Sequence, residues 1–150
     1  MTFEDQLTLS APQSRVWDLL LDVNQFAACM PGVEQVQQID DRTFDGVMTA
    51  RVGPMSGKFS FRAHIVDSDP PRELAAHVEG TDSVTKSTLI ADMGMTLRPL
   101  GETQTELAHR ASVEIKGRLA ILGDMVLRAT AHLMLEEFGK RLRQQLESGT

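Results

Sequence analysis

Few groups in this sequence could move a proton, attack a carbonyl or hold a metal: four histidines, one cysteine and a scatter of carboxylates. His109 is the most suggestive. It falls in step with Leu107, Ala111 and Val113 in an alternating stretch, and a strand sends alternate side chains to opposite faces. His109 is therefore expected to point inward among apolar neighbours, either as a structural histidine or as a group that orients a ligand carbonyl or moves a proton. The sequence sets no carboxylate beside it. His64 and His77 fall out of step with the apolar residues around them and belong to outer faces, and His132 lies on a helix. Four imidazoles on separate elements make no metal site. Cys29 precedes Met30-Pro31-Gly32 at an expected helix C-terminus, where nothing lowers a thiol pKa, so it reads as buried filler. Asp5, Asp18, Asp22, Asp40, Asp41, Asp67 and Asp69 are spread over turns and form no catalytic dyad; they read as solvated surface. Gly53-Pro54-Met55-Ser56-Gly57 lacks the ending of a phosphate loop and joins two strands, so it reads as a hairpin or a lid at a pocket mouth.

The elements that would position these residues follow from periodicity. Phe3, Leu7 and Leu9 alternate, giving a first strand over about 3–9. Ser10 before Ala11-Pro12 predicts a helix with a serine cap, carrying Val16, Trp17, Leu19 and Leu20 on its apolar face. A second short helix is expected over Asn24–Met30, ended by Pro31-Gly32. From Val33 the period becomes two. Strands are expected over 33–39, 43–52, 58–66, 73–80, 86–97 and 105–116, separated by Asp40-Asp41-Arg42, the Gly53–Gly57 break, Pro70-Pro71 and Gly101-Glu102. From about Leu119 the period returns to 3.6 and runs to about Leu146, with Leu127, Ala131, Leu135, Phe138, Leu142 and Leu146 on one stripe. The first half of that helix is apolar nearly all round and is expected to face protein, ligand or membrane on more than one side. Gly139 inside it suggests close packing on the sheet. Six strands joined by short turns imply an antiparallel meander, and one long helix is available to cover its concave face: an α+β domain over 1–147 with a short tail, 148–150.

Composition narrows the function classes. A net charge of −6 disfavours nucleic acid, whose phosphates need a basic face. One cysteine permits no internal disulfide and fits a reducing compartment, and the charged N-terminal stretch does not resemble a secretion signal. No run of about 18 uncharged apolar residues is present. The protein is expected to be cytoplasmic. Eight methionines supply side chains that adapt to irregular space, and tyrosine is absent.

The order of strand, two short helices, six strands and long helix resembles the helix-grip architecture of the START, pollen-allergen and polyketide-cyclase (SRPBCC) superfamily. Ala11-Pro12 followed by Val16-Trp17-Asp18-Leu19-Leu20 and Asp22 is similar to its opening helix. Several shorter segments resemble the G-subunit family of carbon monoxide dehydrogenase: Cys29-Met30-Pro31-Gly32 with Glu34, Val52-Gly53-Pro54-Met55-Ser56-Gly57-Lys58-Phe59, Asp69-Pro70-Pro71, and Gly117-Arg118-Leu119-Ala120 with Leu122-Gly123. That resemblance implies an accessory protein, not a self-contained catalyst. Such a protein would accompany molybdenum hydroxylases of the carbon monoxide dehydrogenase type and help recruit them to the membrane or to a lipophilic partner such as a quinone. Some members carry a C-terminal extension that contacts the membrane; here the helix is followed by Ser148-Gly149-Thr150.

The expected site is an apolar pocket between sheet and helix, holding a quinone or lipid and no covalently bound cofactor. Its lining would come from Met48, Ala50, Phe59, Phe61, Ala63, Leu74, Ala76, Met93, Met95, His109 and Ala111 on the strands, with Leu127, Ala131 and Leu135 on the helix. Met30, Pro31, Pro54, Met55, Leu119 and Leu122 would form an apolar rim facing a membrane or partner. Two other readings stay open: a cyclase, dehydratase or aldol-type enzyme, and an adaptor with a filled core. A dry void of ~300 Å³ would cost on the order of 7 kcal/mol, against a total stability of about 5–15 kcal/mol. A large pocket therefore has to hold water, lipid or ligand.

Overall fold

A computed structural model describes residues 1–147; the tail expected at 148–150 lies outside the described residues. Strand β1 (Thr2–Leu9) leads into two short helices, α1 (Gln13–Leu21) and α2 (Val23–Cys29). Six strands follow: β2 (Val33–Asp40), β3 (Thr43–Val52), β4 (Met55–Asp69), β5 (Glu73–Asp82), β6 (Ser87–Pro99) and β7 (Thr105–Lys116). A 3₁₀ helix (Arg118–Leu122) and the long helix α3 (Asp124–Glu147) complete the chain. The strands form one antiparallel sheet in the order β1-β7-β6-β5-β4-β3-β2, so the first strand pairs with the last and the rest is a meander.

Register fixes which residues share a face. Leu7 pairs with Leu107 and Leu107 with Leu97; Ala76 pairs with Met93 and Ala63 with Val78; Phe44 pairs with Ala63. These are the inward residues that alternation predicted, because a period of two leaves only two choices of face. Strand β4 is longer than expected at both ends: the break after β3 shrinks to Gly53-Pro54, and pairing continues past a bulge between Ile65 and Asp67.

The helix boundaries need three corrections. Ser10 does not cap α1. The residue in that place is Pro12, in extended conformation, whose carbonyl accepts from the Arg15 and Val16 N–H groups but whose side chain offers no acceptor. Helix α2 starts one residue earlier than predicted, because the Asp22 carboxylate accepts from the N–H groups of Asn24 (3.0 Å) and Gln25 (3.1 Å). Asp22 is thus a cap, not merely solvated surface. The hydrogen bond from Gln25 leads the effects that hold its pKa below the ordinary value. Residues 118–122, expected as the start of the long helix, instead make a separate 3₁₀ turn between Gly117 and Gly123, both at positive φ.

Helix α3 has 24 residues and is about 36 Å long at 1.5 Å per residue. A core sits at each end of it. The first gathers Leu9, Val16, Trp17, Leu19, Leu20, Cys29, Leu97 and Leu107 around Phe138, Leu142 and Leu146. The second gathers Val52, Phe59 and Leu119 around Leu127. Gly139 lies within the first core's stretch of α3, between Phe138 and Leu142, without the close packing its presence suggested. A Cβ there would meet Leu7 Cδ1 at 3.7 Å, an ordinary contact. Since glycine costs a helix interior about 1 kcal/mol against alanine, Gly139→Ala is expected to raise stability by roughly that amount. A urea midpoint that falls instead would show that the Leu7 contact is tighter than it looks.

Candidate functional site

The space between the two cores is the candidate site. Helix α3 approaches α2, β1, β3 and the 3₁₀ turn closely, and its backbone does not come down on β4, β5 or β6 in the same way. It bridges the sheet from one margin to the other. The inward residues of the middle strands show the result: Phe61, Ala63, Ile65, Ala76, Val78 and Met93 are all half-buried. Strands β4, β5 and β6 are interior to the sheet, so their inner side chains are not reached from a sheet edge. These residues, with Ala131, Met134 and Leu135 of α3, which are also half-buried, make up the candidate apolar cleft.

The expected lining divides along these lines. Met48, Phe61, Ala63, Ala76, Met93, Ala131 and Leu135 are half-buried and belong to neither core. Phe59 and Leu127 are buried members of the second core, on which Ala50 also packs, while Leu74 and Met95 pack on the first. These five pack with the cores near the ends of α3. Ala111 and His109 are buried on β7 beside the cleft.

The rim needs correction as well. Leu119, expected there, is 1% exposed and is a member of the second core. Met55 is half-buried on that core with Leu122, and Pro54 is exposed. Met30 packs on the first core, at the other end of α3, and Pro31 leads from it into β2. The exposed apolar side chains at the second-core end are Ile121 (82%), Met125 (84%) and Val84 (79%). A 3₁₀ turn has three residues per turn, so it rotates its side chains differently from the α-helix that periodicity suggested. Lys86, whose carbonyl lies against Gly117, and Arg118 are exposed at the junction that leads to Ile121, and Arg51 and Lys58 are exposed beside Val84; none of the four is in an ion pair among the described residues. Arg51, Lys58 and Val84 line a shared depression of about 370 Å³ with Asp82.

Asp82 was not singled out in the sequence. It is buried, and its carboxylate accepts from the N–H groups of Lys58 (3.0 Å) and Val84 (2.8 Å) and from the Thr85 hydroxyl (2.9 Å). Burial opposes its ionisation, but these donors outweigh it and the pKa lies below the ordinary value. Asp82 thereby ties the β5–β6 turn to β4 at the cleft's end. A polar residue in a run of Gly, Thr, Asp and Ser reads as solvated, and only the tertiary approach of β4 shows otherwise.

A second depression, about 750 Å³, lies on the other face of the sheet. Glu4, Arg110, Gly94, Ala75 and Asp67 form one row of it and Gln6, Ala108, Thr96 and Glu73 another; Asp5, His109, Met95 and Leu74, the row between them, also border it. Its floor is small and its walls are charged and open, which does not suit a lipophile.

The titratable groups behave differently on the two faces. His77, on the outer face, bonds Asp92 (2.6 Å) and Glu79 (3.2 Å), and the Asp92 hydrogen bond leads the effects that raise its pKa. His64 bonds the Thr43 hydroxyl. His109 is 9% exposed; burial lowers its pKa, opposed only in part by Asp5. Cys29 is buried at the end of α2, where burial pushes its thiol up. An NMR titration is expected to place the His77 midpoint above the ordinary 6.5 and that of His109 below it. His77 then stabilises the fold below pH 6.5 and loses that contribution as pH rises through its folded pKa. His109 stabilises it above 6.5 and loses that as pH falls toward its own. Midpoints in the reverse order would place His109 outside the cleft. Among the described residues no three His, Cys, Asp or Glu side chains converge as metal ligands, and no helix is long and apolar enough to cross a membrane.

The family model for the G subunit of carbon monoxide dehydrogenase (CoxG) matches residues 6–147. No curated protein matches the sequence. Among solved structures, a conserved protein from Geobacillus kaustophilus superposes with a TM-score of 0.90 at 20% identity, covering 99% of this chain and 96% of that one. A START superfamily protein from Mycobacterium smegmatis gives 0.78 at 14% identity, covering 99% of each chain. The Zhui aromatase/cyclase from Streptomyces sp. R1128 gives 0.75 at 16% identity, covering 98% of this chain and 93% of that one. These likenesses establish the helix-grip fold.

Proposed function

Because the chain belongs to the CoxG family, the G-subunit family of carbon monoxide dehydrogenase, we propose that it is a non-catalytic accessory protein of a molybdenum hydroxylase, carrying a quinone or lipid in the cleft beneath α3. The observation that carries this reading is the half-buried apolar inner face of β4, β5 and β6 under a helix that packs on the sheet margins. Apolar surface left in that condition favours an apolar guest, at roughly 25 cal/mol per Å² covered. Native mass spectrometry of the protein purified from its own host without detergent, followed by organic extraction, tests it. A stoichiometric lipophilic mass supports the carrier. A clean apo mass together with no uptake of added lipophile leaves an adaptor.

The exposed Ile121, Met125 and Val84, with exposed Lys86 and Arg118 at the turn before Ile121 and exposed Arg51 and Lys58 beside Val84, support a peripheral contact with the inner face of the cell membrane. Apolar side chains would enter the interface while each cation adds about 1 kcal/mol toward anionic lipid. Ile121→Asp with Met125→Asp is expected to weaken binding to phosphatidylglycerol-containing vesicles by at least about tenfold, with the unfolding midpoint unchanged. Equal vesicle binding by both proteins sinks this contact and leaves the cleft reading standing.

A cyclase-like enzyme is the second reading, and His109 beside the cleft is the observation that favours it. The cleft offers few partners for such chemistry: the chain has no tyrosine, and the buried polar residues at the inner end of β5 and β6, Asp82 and Ser87, are already hydrogen-bonded within the protein. Turnover lost in His109→Ala with ligand binding kept would favour it.

A further inference from the structure

The inner face carries one polar side chain beside the cleft that no protein group satisfies. His109 is buried on β7 and flanked in register by Asp5 on β1 and Met95 on β6. No hydrogen bond among the described residues engages its ring. Yet every wholly enclosed side-chain nitrogen or oxygen in the described structure has a partner. The ring nitrogens of His109 must therefore touch open space. Alternation with buried Leu107 and Ala111 puts the side chain on the inner face of the sheet, the face that α3 covers. Position along α3 agrees. Leu7 lies near Gly139 and the Phe3 ring near Arg128, so Asp5 and His109 fall at the level of residues between them, where the two cores leave their gap.

We propose that His109 is the specificity-determining residue of the cleft, and that the ligand is a lipophile bearing an uncharged oxygen, a carbonyl or a hydroxyl, rather than a fatty-acid carboxylate. This rests on the carrier reading above. A neutral imidazole offers one N–H donor and one nitrogen acceptor. A carbonyl takes the donor, and a hydroxyl takes either. An oxygen at that point satisfies a group that otherwise stays unpaired, which is where polar recognition discriminates most. A carboxylate is disfavoured twice. It would lose its hydration among Met93, Ala76 and Ala63, and it would face the Asp5 carboxylate in the same row of the sheet. On α3 between Arg128 and Gly139, His132 and Glu136 are exposed and bonded to each other at 2.9 Å, and Glu137 pairs with Arg141, so none of them offers a carboxylate a free cation.

Displacement of bound Nile red from the full chain at neutral pH by decane, decan-2-one and decanoate tests this. Decan-2-one is expected to bind about tenfold tighter than decane, the scale of one hydrogen bond to a buried group, and decanoate no tighter than decane. His109→Leu should abolish the ketone preference with decane affinity unchanged, and His109→Gln should retain it. Asp5→Asn should raise decanoate affinity several-fold. If His109→Leu does not fold, the Gln and Asn variants decide. A decanoate affinity unmoved by Asp5→Asn, or a ketone preference lost in His109→Gln, overturns the proposal. So does a ketone preference that survives in His109→Leu, or decanoate outbinding decan-2-one in the wild type. In those cases decane still displaces the dye, and the cleft stands without its polar pole. If no compound displaces the dye, the carrier reading falls and this inference with it.

Discussion

Phe138→Ala is expected to lower the unfolding free energy by about 3–5 kcal/mol, most of the margin of a protein whose total is about 5–15 kcal/mol. Phe138 is 2% exposed, and its ring lies 5.7 Å from that of Phe26 at a tilt of 56°. It joins α3 to α2 and to the layer formed by Leu9 and Leu107. Removing it leaves a void that Leu142, Leu20 and Trp17, themselves buried, have little freedom to fill. Leu135, one turn earlier, faces the cleft and is half-buried. Leu135→Ala is expected to cost only about 1 kcal/mol, because part of its surface is already open. Urea unfolding of the two variants compares a packed position with an open one on the same helix. Equal losses would mean that the cleft is filled.

Gly117→Ala is expected to cost on the order of 3 kcal/mol or more. Gly117 ends β7 at φ 96° and ψ −156°, a conformation that only glycine adopts readily. Space is lacking as well. A Cβ there would press on the Lys86 carbonyl and lie 2.7 Å from Ser87 Cα, both backbone atoms that cannot swing aside. The junction also holds the buried hydrogen bond from Leu119 N–H to the Ser87 hydroxyl, 3.1 Å, which turns the chain from the sheet into the 3₁₀ helix. Breaking it would displace Leu119 from the second core and expose the cleft's end. A Gly117→Ala protein as stable as the wild type would show that this turn relaxes without cost. Gly123→Ala is the instructive contrast, since a Cβ there meets nothing within 4 Å and φ alone (90°) opposes it.

The architecture was readable because its signals are local. Lys58–Val66 alternates without a break, and that fixes the face of Phe59, Phe61, Ala63 and Ile65 whatever else the chain does. The family resemblance supplied the way the elements wrap. What periodicity does not report is how closely the facing helix approaches. Phe59 and Phe61 are two residues apart and point the same way, yet Phe59 is buried in a core and Phe61 borders the cleft. Only the path of α3 separates them. Leu119 was misplaced for a related reason: a continuous α-helix was assumed across Gly123, where a glycine at positive φ breaks it. The segment is apolar nearly all round because Leu119 and Leu127 face the core while Ile121 and Met125 are exposed. The cap of Asp22 and the turn of Asp82 were missed because hydrogen bonding to backbone N–H groups leaves no trace in hydropathy.

The pairing of β1 with β7 bears on how the chain acquires this structure. Every other ladder joins neighbours in sequence, so β2 to β7 can form hairpin by hairpin with short loop closures. Leu7 and Leu107 are a hundred positions apart, and their ladder has the highest contact order in the sheet. Of the seven strands β1 is therefore expected to pair last, since its partner strand lies about a hundred positions further along the chain. Until then β7 presents a free edge. Substitutions in β1 should therefore speed unfolding and leave folding rates nearly untouched, with φ-values near zero, whereas those in the β4–β5 hairpin should slow folding.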